Sequence, residues 1–355
     1  MVYSSPQVAV SNRSHHLAQS SLEPVKICSL LPASTEIVAA AGAADRLVGR
    51  SHECDWPPEI TRLPVPTSPQ LDASLSSGEI DRDVKAAAGG PLFELDEALL
   101  ARLAPDVILT QAACRVCALD ADAVAAAAAR ISLPGGGTPR VLTLSPQSLA
   151  DLFADIHRVG EVIGRVAEAE AAVAGLENRC EAVQVKAAEV TKTAGRKPRV
   201  AIIEWLDPPM AAGNWVPELV HLAGGEDALA ATTNRADSAD QRAEASKATT
   251  PAKSHWIDWA DVAAADPDVV LLTPCGFELE RVVREARSEA VWPHLAGLRA
   301  AREGRLVAVD GHHMFNRPGP RLVDSLELLA ELLHPGVFTF EATVRFHQTI
   351  RIEGA

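Results

Sequence analysis

The amino-acid sequence predicts an α/β protein built as two related lobes joined by a single long helix. A sequence phrase recurs along the chain. Glu36-Ile-Val-Ala-Ala-Ala-Gly42 returns as Glu218-Leu-Val-His-Leu-Ala-Gly224, and Leu103-Ala-Pro105-Asp106-Val-Ile returns as Ala265-Asp-Pro267-Asp268-Val-Val. Each copy reads as a strand, a short Gly-terminated helix, then a helix running into a Pro-Asp-Val strand. A repeat this long is no solenoid unit. Between the copies lies an unbroken helical pattern. The length, 355 residues, exceeds one ordinary core. Together these give two Rossmann-like lobes with a ligand cleft between them.

In order along the chain, residues 25–31 form an apolar strand. Pro32, with Ser34, Thr35 and Glu36, starts a helix that Gly42 ends. Residues 46–49 make the second strand. The stretch 68–92 is rich in Ser, Gly and acids without period and predicts a long loop over that edge. Residues 97–103 are helical, and 107–110 form a buried strand of parallel type. Gly135, Gly136 and Gly137 mark a turn before the strand 141–144. Ser145 is an N-cap with Pro146 at the first helical position. Leu149, Leu152, Phe153, Ile156, Val159, Ile163, Val166, Val173, Leu176, Cys180 and Val183 then recur at helical spacing, with no stop before about Val190. At ~1.5 Å per residue this is a rod of roughly 60 Å, spanning both lobes; a coiled-coil dimer is the alternative. The second lobe follows with strands at 199–205, 269–273 and 306–310 and helices at 261–265 and 322–333.

The expected organisation is therefore a disordered leader (1–24), an N-terminal α/β lobe (25–144), a backbone helix (145–190), a C-terminal α/β lobe (197–335) interrupted by a polar, aperiodic insertion (232–254), and a C-terminal tail (336–355). Nearly half the residues are hydrophobic, as in globular proteins. A formal charge of −14 argues against nucleic acid as a partner. Apolar runs are too short for membrane insertion. Residues 1–22 have no apolar core of a secretory signal, which points to a cytoplasmic location; their Ser-rich, acid-poor composition weakly resembles an organellar transit segment. Six cysteines in that setting are thiols or metal ligands.

Ligands of parallel sheets meet the loops at the carboxyl ends of the strands. Those ends carry His52, Glu53, Cys54, Asp55 and Trp56; then Gln111, Cys114 and Cys117; then Trp205 and Asp207; then Cys275 and Phe277; then His312, His313, Met314 and Phe315. Thiolate with imidazole suits zinc, copper(I) or cobalt. Cys114-x-x-Cys117 with His52 and Cys54 is a candidate metal set, against the plainer reading of small buried cysteines. Cys28 and Cys180 read as structural. Trp56, Trp205 and Phe315 offer platforms for a broad apolar ligand, or simply line the lobe edge. One of His312 and His313 is expected to face inward. The chain has no nucleophile elbow, Walker loop or dinucleotide fingerprint, so an enzyme is not indicated.

With these residues in place, the chain resembles the cobalamin and ferric-siderophore class of ABC-transporter substrate-binding proteins, the helical-backbone metal receptors of class III periplasmic-binding-protein type. The resemblance runs from about Ile27 to Leu333. It is carried by Ser29-Leu-Leu-Pro32-Ala-Ser-Thr35-Glu36, Gly49-Arg-Ser-His-Glu-Cys-Asp55-Trp56-Pro57-Pro58, Leu103-Ala-Pro-Asp-Val-Ile, Ala223-Gly-Gly-Glu226 and Phe315-Asn-Arg317-Pro-Gly-Pro320-Arg321, and it is closest to the cobalamin-binding branch. It implies non-catalytic binding of cobalamin or a related corrinoid, with Pro32, the loop from His52 to Trp56, Trp205 and the loop from His312 to Phe315 touching the ligand. The family docks on its permease through one Glu per lobe. Ala98 and Ala260 stand at those positions, with Glu97 and Asp261 one residue away, which weakens the expectation of docking. The alternative reading is an intracellular zinc or cobalt binder using Cys54, Cys114, Cys117 and His52.

Overall fold

A computed structural model describes residues 24–87, 92–111, 121–230, 253–341 and 343–352. In the first lobe, β1 (Ile27–Ser29), β2 (Leu47–Arg50), β5 (Val107–Gln111) and β6 (Arg140–Leu144) form a parallel sheet in the order β2-β1-β5-β6. Helices α1 (Pro32–Ala40), α3 (Glu97–Leu103) and α4 (Ala121–Ala129) connect them. The stretch expected to be loop holds a short antiparallel pair, β3 (Thr67–Pro69) with β4 (Phe93–Leu95), and between them helix α2 (Ser77–Ala86). That expectation is corrected. Helix α2 carries its own start signal, a capping box in which Ser76 and Glu79 satisfy each other's backbone N–H groups. Its polar composition hid it, because the residues it buries are Ser77 and Gly78, with partly buried Ile80 as its apolar contact to the core.

The predicted single rod is two helices, α5 (Leu149–Ile163) and α6 (Val166–Ala194). Gly164 sits at φ 69°, a left-handed turn that ends α5. Apolar spacing continues through the break, so periodicity alone could not reveal it. Helix α6 is the long element, roughly 43 Å at ~1.5 Å per residue. It buries Ala169, Val173, Leu176, Cys180, Val183 and Ala187 along one stripe.

In the second lobe β7 (Arg199–Leu206), β11 (Val269–Leu272) and β12 (Leu306–Val309) run parallel, and β8 (Pro209–Ala211) pairs antiparallel with β7. Two-residue strands β9 (Glu226–Asp227) and β10 (His255–Trp256) flank β7 and β8. The helices are α7 (Val216–Leu222), α8 (Trp259–Ala265), α9 (Leu279–Ala286), α10 (Trp292–Ala296), α11 (Arg299–Arg302) and α12 (Leu322–Leu333). The stretch expected to be a tail contributes β13 (His347–Thr349), which pairs antiparallel with β12 and so belongs to this sheet.

Strand side chains alternate between faces, and the alternation decides where the core lies. Val107 and Leu109, Val200 and Ile202, Val269 and Leu271, and Val307 and Val309 all enter one cluster that continues through α5 and α6. Their neighbours Ile108, Ala201, Ile203, Val270 and Leu272 fill separate outer clusters. Both faces of each sheet are covered, as parallel strands joined by helical crossovers require. One core therefore crosses from lobe to lobe through the helices. The repeated Pro-Asp phrase has a repeated job. Ala104 and Asp266 end α3 and α8 at φ 43°, and the following Asp106 and Asp268 carboxylates accept the backbone N–H of Lys26 (2.8 Å) and Arg199 (2.9 Å) at the starts of β1 and β7.

Candidate functional site

The carboxyl ends of the strands from both lobes face one another. The loop after β2 contributes His52, Glu53, Asp55 and Trp56, and the segment after β12 contributes His312, His313, Arg317 and Arg321. They meet as a charge network. Arg317, only 7% exposed, donates to Asp55 Oδ1 (2.6 Å) and Glu36 Oε1 (3.3 Å). Arg321 Nε reaches the same Glu36 oxygen at 3.2 Å. His312 Nε2 lies 2.9 Å and His313 Nε2 3.0 Å from Asp55 Oδ2. Asp310, at the end of β12, accepts the backbone N–H groups of His312 (3.0 Å) and His313 (2.9 Å) and faces His313 Nδ1 at 3.0 Å.

These neighbours set the protonation states. Burial would raise the Asp55 carboxyl, but hydrogen bonds from His312, His313 and Arg317 together hold it well below the usual carboxylate range. Burial would lower the His313 imidazole, and its bonds to Asp310 and Asp55 outweigh that, lifting it above its ordinary value. His52 goes the other way. Burial pulls it down, Glu53 opposing and Arg50 assisting. Thr67 Oγ1 holds its Nδ1 at 2.7 Å. Its Nε2 is buried without a hydrogen bond, 3.5 Å from Glu53. A neutral imidazole with one nitrogen anchored and the other unspent is suited to meeting a ligand.

The aromatic residues divide. Trp56 is 39% exposed with the Arg321 guanidinium 5.7 Å from its ring centroid. Trp205 is half-buried, packs edge-on against Phe277 at 5.3 Å, and keeps a buried Nε1–H with no hydrogen-bond partner. Phe277 is buried, with the Arg281 guanidinium 3.4 Å from its ring centroid. Phe315 is 1% exposed and belongs to the core, so it is not a ligand platform. Its carbonyl accepts the indole N–H of Trp215 at 2.6 Å, fixing the turn that carries Arg317. Pro32 is half-buried at the first turn of α1, Gln111 is buried at the end of β5, and Cys275 is half-buried after β11.

Helix α2 crosses from the first lobe onto the second. Glu285 Oε1 accepts from the Ser77 N–H (2.7 Å) and hydroxyl (2.5 Å), and Arg281 donates to the Leu75 carbonyl (2.5 Å). Gly78 sits where any Cβ would run into the Asp207 carboxylate, and Ile80, like Trp205, packs against the second lobe's outer core. The helix thus covers the Trp205 edge of the cleft.

The metal reading of Cys54 is corrected. Its thiol is 1% exposed, pushed up by burial, and lies 3.1 Å from the Thr35 hydroxyl and 3.3 Å from that of Ser51. A buried, hydrogen-bonded thiol is a packing residue. Cys114 and Cys117 lie outside the described residues. The sequence does not single out Glu36, Asp310 or Arg317 as site residues, and it offers Asp55 only as a member of the loop from His52 to Trp56. Asp55, Arg317 and Arg321 stood in the quoted loops, but nothing in one sequence pairs charges roughly 260 positions apart, as Asp55 and Arg317 are.

Comparison with known proteins adds to this geometry. A family model described as periplasmic binding protein matches residues 27–312. The chain is 22% identical over 322 residues to the uncharacterized ABC transporter substrate-binding lipoprotein YvrC of Bacillus subtilis, covering 89% of this chain and 82% of that protein. Its fold matches a periplasmic haem-binding protein of Pseudomonas aeruginosa (TM-score 0.67, 20% identity, 93% of this chain and 99% of that one). It also matches the periplasmic vitamin B12-binding protein BtuF of Vibrio cholerae (TM-score 0.57, 17% identity, 87% and 96%). These likenesses overturn the expected cytoplasmic location, since the relatives are a lipoprotein and periplasmic proteins. Among the described residues no helix is long and apolar enough to cross a membrane.

Proposed function

Because the chain belongs to the periplasmic binding protein family, we propose that it captures cobalamin or a related corrinoid at the mouth of the interlobe cleft and presents it, outside the cytoplasm, to an ABC importer. As a member of that family the chain is a substrate-binding component and not an enzyme.

One observation supports a neutral, broad ligand above others: Arg317, Arg321 and Arg50 each already hold a carboxylate or carbonyl partner, although Arg321 Nη2 and Arg50 Nε are buried without a hydrogen bond. Arg317 and Arg321 hold Asp55 and Glu36, and Arg50 donates to the carbonyls of Ser51, Cys54 and Thr61. A haem brings two carboxylates that need free cations, whereas a corrinoid presents a fringe of amides. The unpaired Trp205 Nε1–H suits an amide carbonyl, and exposed Trp56 suits the flat apolar face. His52 Nε2 supplies a neutral nitrogen at the same mouth. Importer docking in this reading uses the outer ends of α3 and α8. Exposed Glu97, paired with Arg130, precedes exposed Ala98, and Ala260 is its exposed counterpart on α8.

Calorimetric titration with cyanocobalamin and with haemin tests the reading. The expected result is saturable, nearly salt-independent corrinoid binding that is weakened by Trp205→Ala. Haemin binding with no detectable corrinoid binding would overturn it.

A further inference from the structure

Asp55 carries its two carboxylate oxygens into different company. Oδ1 is held by Arg317 Nη1 at 2.6 Å, while Oδ2 faces His312 Nε2 and His313 Nε2 at 2.9 and 3.0 Å. All three donor atoms lie within 4.8 Å of one another. We propose that Asp55, His312 and His313 form a binding site for a divalent transition cation of the zinc class, one ion tying the first lobe to the second. The site does not depend on the corrinoid reading.

The donor set selects the metal. Two imidazole nitrogens and one carboxylate oxygen suit zinc, cobalt(II) or nickel(II), whereas calcium and magnesium take oxygen ligands. Three protein ligands leave a fourth position for water or an incoming donor. Ligand atoms about 2.0–2.1 Å from a tetrahedral zinc stand roughly 3.3 Å apart, so the Asp55 Oδ2 contacts open by a few tenths of an ångström while the two imidazole nitrogens, within 4.8 Å of one another, settle to that spacing. The His313 ring is held as metal-bound imidazoles usually are, by a carboxylate on the far nitrogen, while the carboxylate nearest the far nitrogen of His312 stands beyond hydrogen-bond distance. Asp310 Oδ1 lies 3.0 Å from His313 Nδ1, and Glu53 Oε2 lies 3.7 Å from His312 Nδ1. The loop geometry is fixed by the two backbone N–H groups on the same Asp310 oxygen.

Charge favours a dication. Asp55, Asp310, Glu53 and Glu36 bear on this cluster, and the guanidinium groups that contact these side chains are those of Arg317 and Arg321. Four carboxylates thus face two guanidinium groups. The competing group is Arg317 Nη2, 2.6 Å from His312 Nε2 and 3.3 Å from Asp55 Oδ2. An entering ion displaces Nη2, while Nη1 keeps its bond to Oδ1. The guanidinium therefore stands in for the cation and yields to it.

The test uses chelator-treated, dialysed full-length protein titrated with cobalt(II), followed by zinc(II) competition and metal analysis. One ion per chain is expected, with the visible absorption of four-coordinate cobalt(II). Asp55→Asn and His313→Ala should each weaken binding by roughly 100-fold, and Asp310→Asn, which only orients His313, by about 10- to 100-fold. Circular dichroism establishes that each variant is folded, and the absorption band itself reports coordination. The double variant Cys114→Ser, Cys117→Ser should keep the site. Absence of metal binding at micromolar ion, binding unchanged in folded Asp55→Asn and His313→Ala, or binding abolished by the cysteine variant would each overturn the proposal. No corrinoid is present in the titration, so its failure leaves the cobalamin reading to be judged separately.

Discussion

Replacing Arg317 by Met removes the charge at the centre of the interlobe network and keeps most of the volume. Arg317 is buried, bonds Asp55 at 2.6 Å and Glu36 at 3.3 Å, and its guanidinium is pulled down by burial but raised further by these two carboxylates. Breaking a buried pair costs about 3–5 kcal/mol, because the partner is left uncompensated. Here Glu36 retains Arg321 and Asp55 retains both imidazoles. Asp55 is also a third exposed, so solvent screens part of its charge. The lower end, about 3 kcal/mol, is therefore expected. For a chain of 355 residues that lowers Tm by roughly 4 °C. The pH dependence gives a second check. The folded Asp55 carboxyl lies below its unfolded value, so its contribution is full above about pH 4 and fades as pH falls below that. The Arg317→Met deficit, read by calorimetric melting, should accordingly be full at pH 7 and shrink toward pH 3. A loss under about 2 °C, or a deficit unchanged at pH 3, would refute the claim that this network binds the lobes together.

Other perturbations follow from the same geometry. Gly78→Val drives a side chain into Asp207 and should lift α2 off the second lobe, raising the corrinoid dissociation rate and the hydrogen exchange of residues 77–86; unchanged exchange would mean the helix does not clasp the cleft. His52 is depressed by burial, so its neutral form persists below the ordinary imidazole range, and corrinoid affinity should hold at pH 6 and decline only at lower pH. A midpoint at or above about pH 6.5, or one unchanged in His52→Gln, would count against its contact with the ligand. The Cys54 thiol should resist alkylation in native protein at pH 8 and react on unfolding. Rapid native labelling would contradict its place in the core.

What the sequence disclosed tracks how local the signal was. The Pro-Asp strands, the start of α1 at Pro32 and the whole of α12 were readable because apolar period, proline and caps act within a few residues. The break at Gly164 was not, because Val159, Ile163 and Ala169 stay buried on both sides of it and the period carries through the turn. Helix α2 was missed for the opposite reason. It makes its contacts through Ser77, Gly78 and Ile80 to residues of the other lobe and presents no apolar face to a reader. The site was half legible. Chain ends of parallel strands located the histidines and tryptophans, but Phe315 and Cys54 turned inward, and the burial of a loop residue is decided by tertiary packing. The pairing of Asp55 with Arg317 depends on the fold bringing two lobes together, and no spacing rule encodes it.

The central claim is that a corrinoid occupies the interlobe mouth, and a crystal structure of the protein grown with cyanocobalamin tests it most directly. The account predicts the corrin plane lying between the Trp56 loop and the segment that carries His312, with the Trp205 Nε1–H donating to a ligand amide and Arg317 still holding Asp55 and Glu36 beneath. Corrinoid density on another surface, or an empty cleft in crystals grown at saturating cobalamin, would contradict it.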